Sequence, residues 1–152
     1  MQQRIRRFSR LLKLREDDRR TEQAILAEER REEDEVTRNL NVLGREKSTA
    51  MSEFCGNADK IFSCQEIWFQ RQAIEAIEKR IVKNNENLRD VQQRIFRTEE
   101  RLVERHRDVK VMEGYVERLK ENARDELFAS EQLELDDIGM LRYGHLLKDS
   151  SR

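Results

Sequence analysis

Residues that could carry out catalysis or bind a metal are few and scattered in this chain of 152 residues. The two histidines, His106 and His145, are far apart, and neither lies near a cysteine in sequence. Cys55 and Cys64 are nine residues apart with no histidine nearby, which fits neither a zinc site nor a disulfide framework. There is also no glycine-rich loop that could hold a phosphate. We therefore predict that the protein is not an enzyme and has no catalytic residues, no metal and no cofactor.

The elements that would position any functional side chain are long helices. Between Ile67 and Leu119, apolar residues recur at alternating spacings of three and four. A narrow stripe held over this length indicates a coiled-coil seam, the row of side chains that faces a partner helix. At about 1.5 Å per residue the stretch is roughly 80 Å long, so it needs a partner helix. The seam residues are Ile67, Ile74, Ile81, Leu88, Ile95, Leu102, Val109 and Val116, together with Ile77, Asn84, Val91, Thr98, Arg105, Met112 and Leu119.

The first fifty residues predict another helix with the same spacing but a polar middle. Its apolar seam positions are Ile5, Phe8, Leu12, Leu26, Val36, Leu40, Leu43, Ala50 and Phe54. The same register passes through Arg15, Arg19, Glu22, Glu29, Glu33 and Lys47. This polar middle would face Leu88, Val91 and Ile95. We therefore expect the register to slip locally, so that Ala24 or Ile25 faces the second helix in place of the polar residues. The alternative is an apolar strip that is incompletely covered and open to a partner.

A break between Phe54 and Lys60 allows the chain to reverse. Gly56 and Asn57 both tolerate positive φ, and a reversal there makes an antiparallel helical hairpin. The second helix could be capped by Asp59, or by Ser63 together with Glu66, three residues later.

The predicted fold is all-α, a long antiparallel two-helix coiled-coil hairpin whose second helix is longer than the first. It forms one domain over 1–147, with helices over about 4–53 and 62–138, a turn over about 54–61, and a frayed tail over 148–152. If Phe54 lies opposite Phe62, residue i faces residue 116 − i and Ile5 lies near Val111. The rest of the second helix then overhangs.

The composition fits long helices better than a compact core. There is no proline to interrupt a helix, and 41% of the residues are charged, which leaves few apolar side chains for a globular interior. The net charge of −1 gives no overall attraction to nucleic acid or to an anionic membrane. No apolar run approaches the length of a transmembrane helix.

The first fifteen residues carry six basic side chains and no acid. They lack the apolar core and the cleavage site of a secretory signal. A mitochondrial presequence is the rival interpretation, but the apolar spacing continues into the helix that follows. We expect a cytoplasmic protein that binds no nucleic acid and does not insert directly into a membrane.

Two further features suggest contact with other proteins. The aromatic pair Trp68 and Phe69 follows the break, where it either plugs the end of the hairpin or is an exposed anchor for a partner. Beyond Leu119 the seam decays into an irregular apolar pattern that has no partner helix in the chain. We expect Gly139 and Gly144 to loosen this segment, which has the character of a docking segment.

Three parts of the sequence resemble the FliJ family of flagellar type III export proteins. The opening Phe8-Ser-Arg-Leu-Leu-Lys-Leu-Arg-Glu16 is similar to the family's start, with an aromatic residue, a leucine pair and basic residues before Arg-Glu. The hairpin with a longer second helix is similar too. So is Tyr115-Val-Glu-Arg-Leu-Lys-Glu121 followed by Glu131-Gln-Leu-Glu-Leu-Asp-Asp-Ile138. Gly139 and Gly144 depart from the family, in which helix formers are more usual there.

The resemblance implies a stalk protein of the export ATPase, peripheral to the membrane export apparatus. Its termini-bearing end would insert into the hexameric ATPase ring, and the start of its second helix would contact the cytoplasmic domain of the export gate. Export chaperones are further partners, and the free protein is expected to be a monomer. The residues expected at the ring-facing end are Phe8, Leu11, Leu12, Leu119, Leu127 and Phe128. The residues expected at the gate are Trp68, Ala73, Ile77, Arg80 and Asn84.

The alternative function is a structural coiled-coil spacer, or a homodimeric scaffold protein, unrelated to export. In that case the first helix would pair with another chain, and Gly56 would lie in a break that does not reverse the chain.

Overall fold

The computed structural model describes residues 1–56 and 63–151, which form two helices and no strand. Helix α1 runs over Gln2–Gly56, with 55 residues, and α2 over Cys64–Asp149, with 86 residues. The prediction of an all-α hairpin with a longer second helix is confirmed. Asn57 and Asp59 of the predicted turn, and Phe62 at the predicted start of the second helix, lie outside the described residues.

Contacts between the helices divide the chain into two compact units. One unit is Arg20–Val103, and the other consists of Met1–Arg19 and Glu104–Arg152. In the first unit Lys47 pairs with Glu78, and Glu22 pairs with Arg101. A residue late in α1 thus meets one early in α2, which is the antiparallel direction.

The second unit is antiparallel as well. Arg4 contacts Tyr115, whereas Asp18, later in α1, contacts Arg105, earlier in α2. In both units α1 therefore finds its partner helix within the same chain, and the arrangement in which α1 pairs only with another chain is wrong.

Ser63 caps the N-terminus of α2. The backbone N–H of Glu66 donates to Ser63 Oγ at 3.3 Å, and the N–H of Ile67 donates to the Ser63 carbonyl at 3.2 Å. These bonds satisfy donors that the first turn of a helix otherwise leaves free. Of the two caps that the sequence suggests, Ser63 with Glu66 is the one observed. The other candidate, Asp59, is outside the described residues.

Both helices continue past the ends that the sequence suggests. Gly56 is still helical, and no described residue has positive φ, so Gly56 does not reverse the chain through a left-handed conformation. Helix α2 extends beyond the predicted end near residue 138 and passes through Gly139 and Gly144 to Asp149. Each glycine costs a helix about 1 kcal/mol relative to alanine. The surrounding leucines, Met140 and Arg142 are good helix formers, and α2 is continuous through both glycines.

The register between the helices differs from the predicted one, in which residue i faces residue 116 − i. In the unit Arg20–Val103, the residue numbers of the cross-helix pairs Lys47–Glu78 and Glu32–Arg94 add to about 125, rather than 116. By the same count, Gly56 at the end of α1 lies opposite Phe69. The first turn of α2 therefore has no α1 residue beside it, which explains why Ile67 is 43% exposed.

The remaining predicted seam residues of α2 are all buried or half-buried. In the unit Arg20–Val103, Leu26 packs with Val91 and Ile95, and Leu102 lies against this cluster. In the other unit the most buried residues are Val109, Val116 and Leu119. The seven-residue periodicity therefore identified the buried face of α2 correctly.

The polar middle of α1 stays in the seam. Ile25 and Ala24 are exposed, whereas Glu22 is buried and Glu29 and Glu33 are half-buried. The expected local slip is wrong because a continuous helix cannot shift its register without an irregularity, and α1 has none. The alternative of an open apolar strip is also wrong: Val91 and Ile95 are buried and Leu88 is half-buried.

The seam carboxylates are retained because polar side chains of α2 meet them. Arg101 Nε donates to Glu22 Oε2 at 3.2 Å, and Thr98 Oγ1 donates to Glu29 Oε1 at 3.0 Å. An Arg101 terminal nitrogen also donates to Thr98 Oγ1 at 2.9 Å, which joins the two contacts into one network. Gln92 Nε2 donates to Glu33 Oε1 at 3.3 Å. One buried oxygen, Glu29 Oε2, has no hydrogen-bond partner.

The apolar cluster gives a first testable prediction. Ile95→Asp places an unpaired carboxylate against Leu26 and Val91, so we expect the free energy of unfolding to fall by about 3 kcal/mol. The neighbouring Phe96 is exposed, and Phe96→Asp is the matched control with a change below about 0.5 kcal/mol. Urea unfolding followed by circular dichroism measures both. Equal losses in the two variants would contradict the assigned seam.

The unpartnered oxygen gives a second prediction. Glu29→Leu combined with Thr98→Val replaces both partners of this seam hydrogen bond by apolar side chains and leaves no buried hydroxyl without an acceptor, so we expect a gain of about 1 kcal/mol in unfolding free energy. Glu28→Leu is the control, because Glu28 is exposed and its ion pair with Arg31 at i,i+3 lies on the surface of α1. Thermal unfolding compares the two. A lower midpoint for the variant that carries both changes would mean that the Glu29–Thr98 bond stabilises the hairpin.

Candidate partner-binding surfaces

An aromatic contact fixes the start of α1 against α2. The rings of Phe8 and Tyr115 meet edge to face, with centroids 4.8 Å apart and an interplanar angle of 70°. An Arg4 terminal nitrogen donates to the Tyr115 hydroxyl at 2.9 Å. Tyr115 therefore uses both its ring and its hydroxyl to hold the basic N-terminal segment in place.

The residues predicted at the ring-facing end divide into two groups. Phe8 and Leu12 are half-buried and Leu119 is buried, so these three belong to the seam between the helices. Leu127 and Phe128 are 60% and 67% exposed. Leu11 also faces solvent. Only the last three can touch a partner without a change in the packing of the hairpin.

The end of α2 is exposed over a long stretch. Ala123 is its last half-buried residue, and residues 124–149, here called the overhang, are all exposed. The residue numbers of the pairs Phe8–Tyr115 and Asp18–Arg105 in this unit add to 123, so Gln2 at the start of α1 lies opposite about residue 121, and no described part of α1 is beside the overhang. The large apolar residues of the overhang are Leu127, Phe128, Leu133, Leu135, Ile138, Met140, Leu141, Tyr143, Leu146 and Leu147.

The charge of the overhang changes along its length. Residues 125–137 contain six carboxylates and no basic residue. Residues 138–149 contain Arg142, His145 and Lys148 with one carboxylate, Asp149. The overhang thus has an acidic first half and a basic second half.

The residues predicted at the gate also divide between seam and surface. Ala73 and Arg80 are exposed, whereas Ile77 and Asn84 are half-buried. Asn84 Nδ2 donates to the Arg80 carbonyl at 3.0 Å, within its own helix. Trp68 is 57% exposed. Trp68, Ala73 and Arg80 are therefore accessible, and the other two position the helix.

The aromatic pair at the start of α2 faces solvent. The rings of Trp68 and Phe69 meet edge to face, with centroids 5.2 Å apart, and both side chains are more than half exposed. The interpretation that they plug the end of the hairpin is wrong for these positions, and an exposed anchor fits them. Two exposed aromatic rings held in one orientation are well suited to bind a partner.

The sequence interpretation missed a second apolar row on α2. Val82, Phe96 and Val103 are exposed and follow Trp68 at multiples of seven residues, so they lie on one outer face of the helix. The sequence contains the signal for this row, because each of its residues directly follows a seam residue and therefore repeats with the same period of seven. The row lies within the unit Arg20–Val103.

The titratable groups do not converge on a reactive site. Within residues 1–56 and 63–151, no group of three or more histidine, cysteine or acidic side chains could hold a metal ion. Cys55 and Cys64 are free and exposed. His106 Nδ1 lies 3.3 Å from Arg19 on α1. The pKa of Arg94 is raised, chiefly by its hydrogen bond to Glu32 on the facing helix.

The membrane-spanning capacity of the helices can be judged from their hydropathy. Neither helix, over the part of the chain that the structure describes, contains a stretch long and apolar enough to cross a membrane.

Comparison with known proteins gives one family. The sequence matches the family model described as flagellar FliJ protein over residues 3–147 of the 152-residue chain. No curated protein and no solved structure gives a significant match. The matched range includes both helices almost entirely, and with them the overhang and the exposed start of α2.

Proposed function

We propose a function from the premise that this chain belongs to the flagellar FliJ protein family, whose members are non-catalytic, export-related components of the flagellum. The chain acts as a stalk that couples the export ATPase to the rest of the apparatus. Its termini-bearing end inserts into the hexameric ATPase ring. The start of α2 contacts the cytoplasmic domain of the membrane export gate, and export chaperones bind as further partners. The protein works in the cytoplasm, peripheral to the membrane.

The exposure of the overhang is the observation that carries this proposal. A helix of a soluble assembly normally buries its apolar side chains against another element. Here ten large apolar residues are exposed within 26 residues of α2, and no described part of α1 covers them. A surface of this kind is typical of a protein-binding site.

The ring-facing surface we propose consists of Leu11, Leu127 and Phe128, which are exposed. Phe8, Leu12 and Leu119 support it from the seam, because they hold the start of α1 against α2. The aromatic contact of Phe8 with Tyr115 contributes to the same end.

The gate-facing surface we propose consists of Trp68, Ala73 and Arg80. Tryptophan and arginine are the residues that most often dominate the binding energy of an interface. Ile77 and Asn84 keep this stretch of α2 in the seam, so that the three exposed side chains point away from α1. A small residue at Ala73 leaves space beside them for a partner side chain.

A third prediction tests the ring-facing end. Leu127→Asp combined with Phe128→Asp removes two exposed apolar contacts, each worth about 1.5–3 kcal/mol when buried, so we expect stimulation of the export ATPase to need more than about 10-fold higher protein concentration. Both residues are outside the seam, so thermal unfolding of the hairpin should not change. ATP hydrolysis is measured against added protein.

Phe96→Asp combined with Val103→Asp is the matched control, because it adds the same two charges at exposed apolar positions of α2, more than 20 residues before the overhang. Stimulation that is unchanged by the double variant would show that the overhang does not dock on the ATPase.

A fourth prediction tests the gate-facing surface. Trp68→Ala removes a large exposed anchor, and we expect the dissociation constant for the cytoplasmic domain of the gate to rise about 10-fold or more. Isothermal titration calorimetry measures it, with Phe96→Ala as the control. ATPase stimulation should be unaffected by Trp68→Ala. Equal binding by both variants would exclude Trp68 from the gate contact.

A further inference from the structure

We propose that the overhang, residues 124–149, pairs in the antiparallel direction with the overhang of a second copy of this chain. The argument rests on which residues share one face of this helix and on the charges they carry.

One face of the overhang repeats at spacings of three and four residues, as a coiled-coil seam does. All of its members are exposed. They are Phe128, Glu131, Leu135, Ile138, Arg142, His145 and Asp149, with Arg124 at the start of the row. The face is distinct from the seam with α1, whose next positions after Ala123 are Glu126 and Ser130.

This face is complementary to itself when two copies run antiparallel. If the numbers of facing residues add to 273, Leu135 of one copy meets Ile138 of the other at the centre. Glu131 meets Arg142, a carboxylate opposite a guanidinium. A two-fold axis repeats each pair, so the interface contains two Leu–Ile contacts and two Glu–Arg pairs.

The outer positions of the same register also match. Phe128 faces His145, with Leu146 beside it, and Arg124 faces Asp149. Arg124 is held by Glu117 of its own helix at 3.4 Å, but both side chains are exposed, so this pair is weak and can exchange. The acidic first half of each overhang therefore lies along the basic second half of the other.

Two other arrangements of the overhangs are less favourable. In a parallel pair Glu131 would face Glu131 and Arg142 would face Arg142, which disfavours association. The opposite face of the helix contains Leu133, Met140 and Leu147, but Asp136 lies in the same row. Asp136 accepts a hydrogen bond from Gln132 of its own helix at 3.0 Å, and the row offers no cation to face it.

This pairing replaces the expectation of a free monomer. That expectation rests on the pairing of α1 with α2 within one chain, and it assigns the segment after Leu119 to other proteins and not to a second copy. The pairing does not depend on the proposed function. Where both hold, a second copy and the ATPase ring compete for the overhang, and self-pairing covers Phe128, Leu135 and Ile138 until the ring binds.

The test is the mass of the purified full chain in solution. Light scattering across a concentration series should give twice the chain mass of 18.4 kDa at high concentration. Ile138→Glu puts a charge at the centre of the proposed interface and should give a monomer at the same concentrations. Met140→Glu, on the other face of the same helix, is the matched control and should remain a dimer.

A charge exchange tests the register. Glu131→Arg or Arg142→Glu alone places like charges opposite each other twice and should raise the dissociation constant of the dimer at least 10-fold. The two changes together should restore it. Residues 131 and 142 are about 16 Å apart along their own helix, so recovery reports a contact between chains. Circular dichroism checks that every variant remains helical.

Three results would overturn the proposal: a monomer at all concentrations, dissociation by Met140→Glu with Ile138→Glu still dimeric, or a double charge variant no better than the single ones. None of these affects the docking of the overhang on the ATPase, which is read out by stimulation of ATP hydrolysis. An unaltered chain that forms the dimer but does not stimulate ATP hydrolysis would instead count against the proposed function alone.

Discussion

The fixed period of a continuous helix is the constraint on which the rest of the structure depends. Once α1 is helical from Gln2 to Gly56, the same positions must face α2 whether their side chains are apolar or charged. The carboxylates of Glu22 and Glu29 therefore remain between the helices, and the chain places Thr98 and Arg101 opposite them. The seam accommodates these polar residues by pairing them, because a regular helix cannot rotate single residues out of the interface.

The same constraint explains what could be predicted from the sequence. The buried face of α2 follows from local periodicity, so residues such as Val91 and Val109 could be identified directly. The register could not, because it depends on where the chain reverses, and a shift of about nine residues leaves the periodicity of both helices unchanged. The polar middle was misjudged because sequence periodicity does not indicate which polar side chains of the facing helix are within reach.

Exposure separates the predicted partner-binding residues in a way that sequence similarity could not. Leu119 and Leu127 were assigned to one surface, but the first is buried in the seam and the second is exposed. Trp68 was equally suited to plug the hairpin or to bind a partner until the end of α1 was placed opposite Phe69. The exposed row of Val82, Phe96 and Val103 was visible as a spacing, but a dominant seam pattern conceals a weaker row beside it.

The sequence separation of the cross-helix contacts has a consequence for how the hairpin opens. Lys47 and Glu78 are joined through a short connection, whereas Arg4 and Tyr115 are 111 residues apart. Closing a longer loop costs more chain entropy, so contacts near the reversal form early in folding and contacts near the termini form late. We expect the Phe8–Tyr115 end to fray first, with the fastest amide hydrogen exchange in the seam. Transient fraying would expose Phe8, Leu12 and Leu119 while the remainder of the hairpin stays folded.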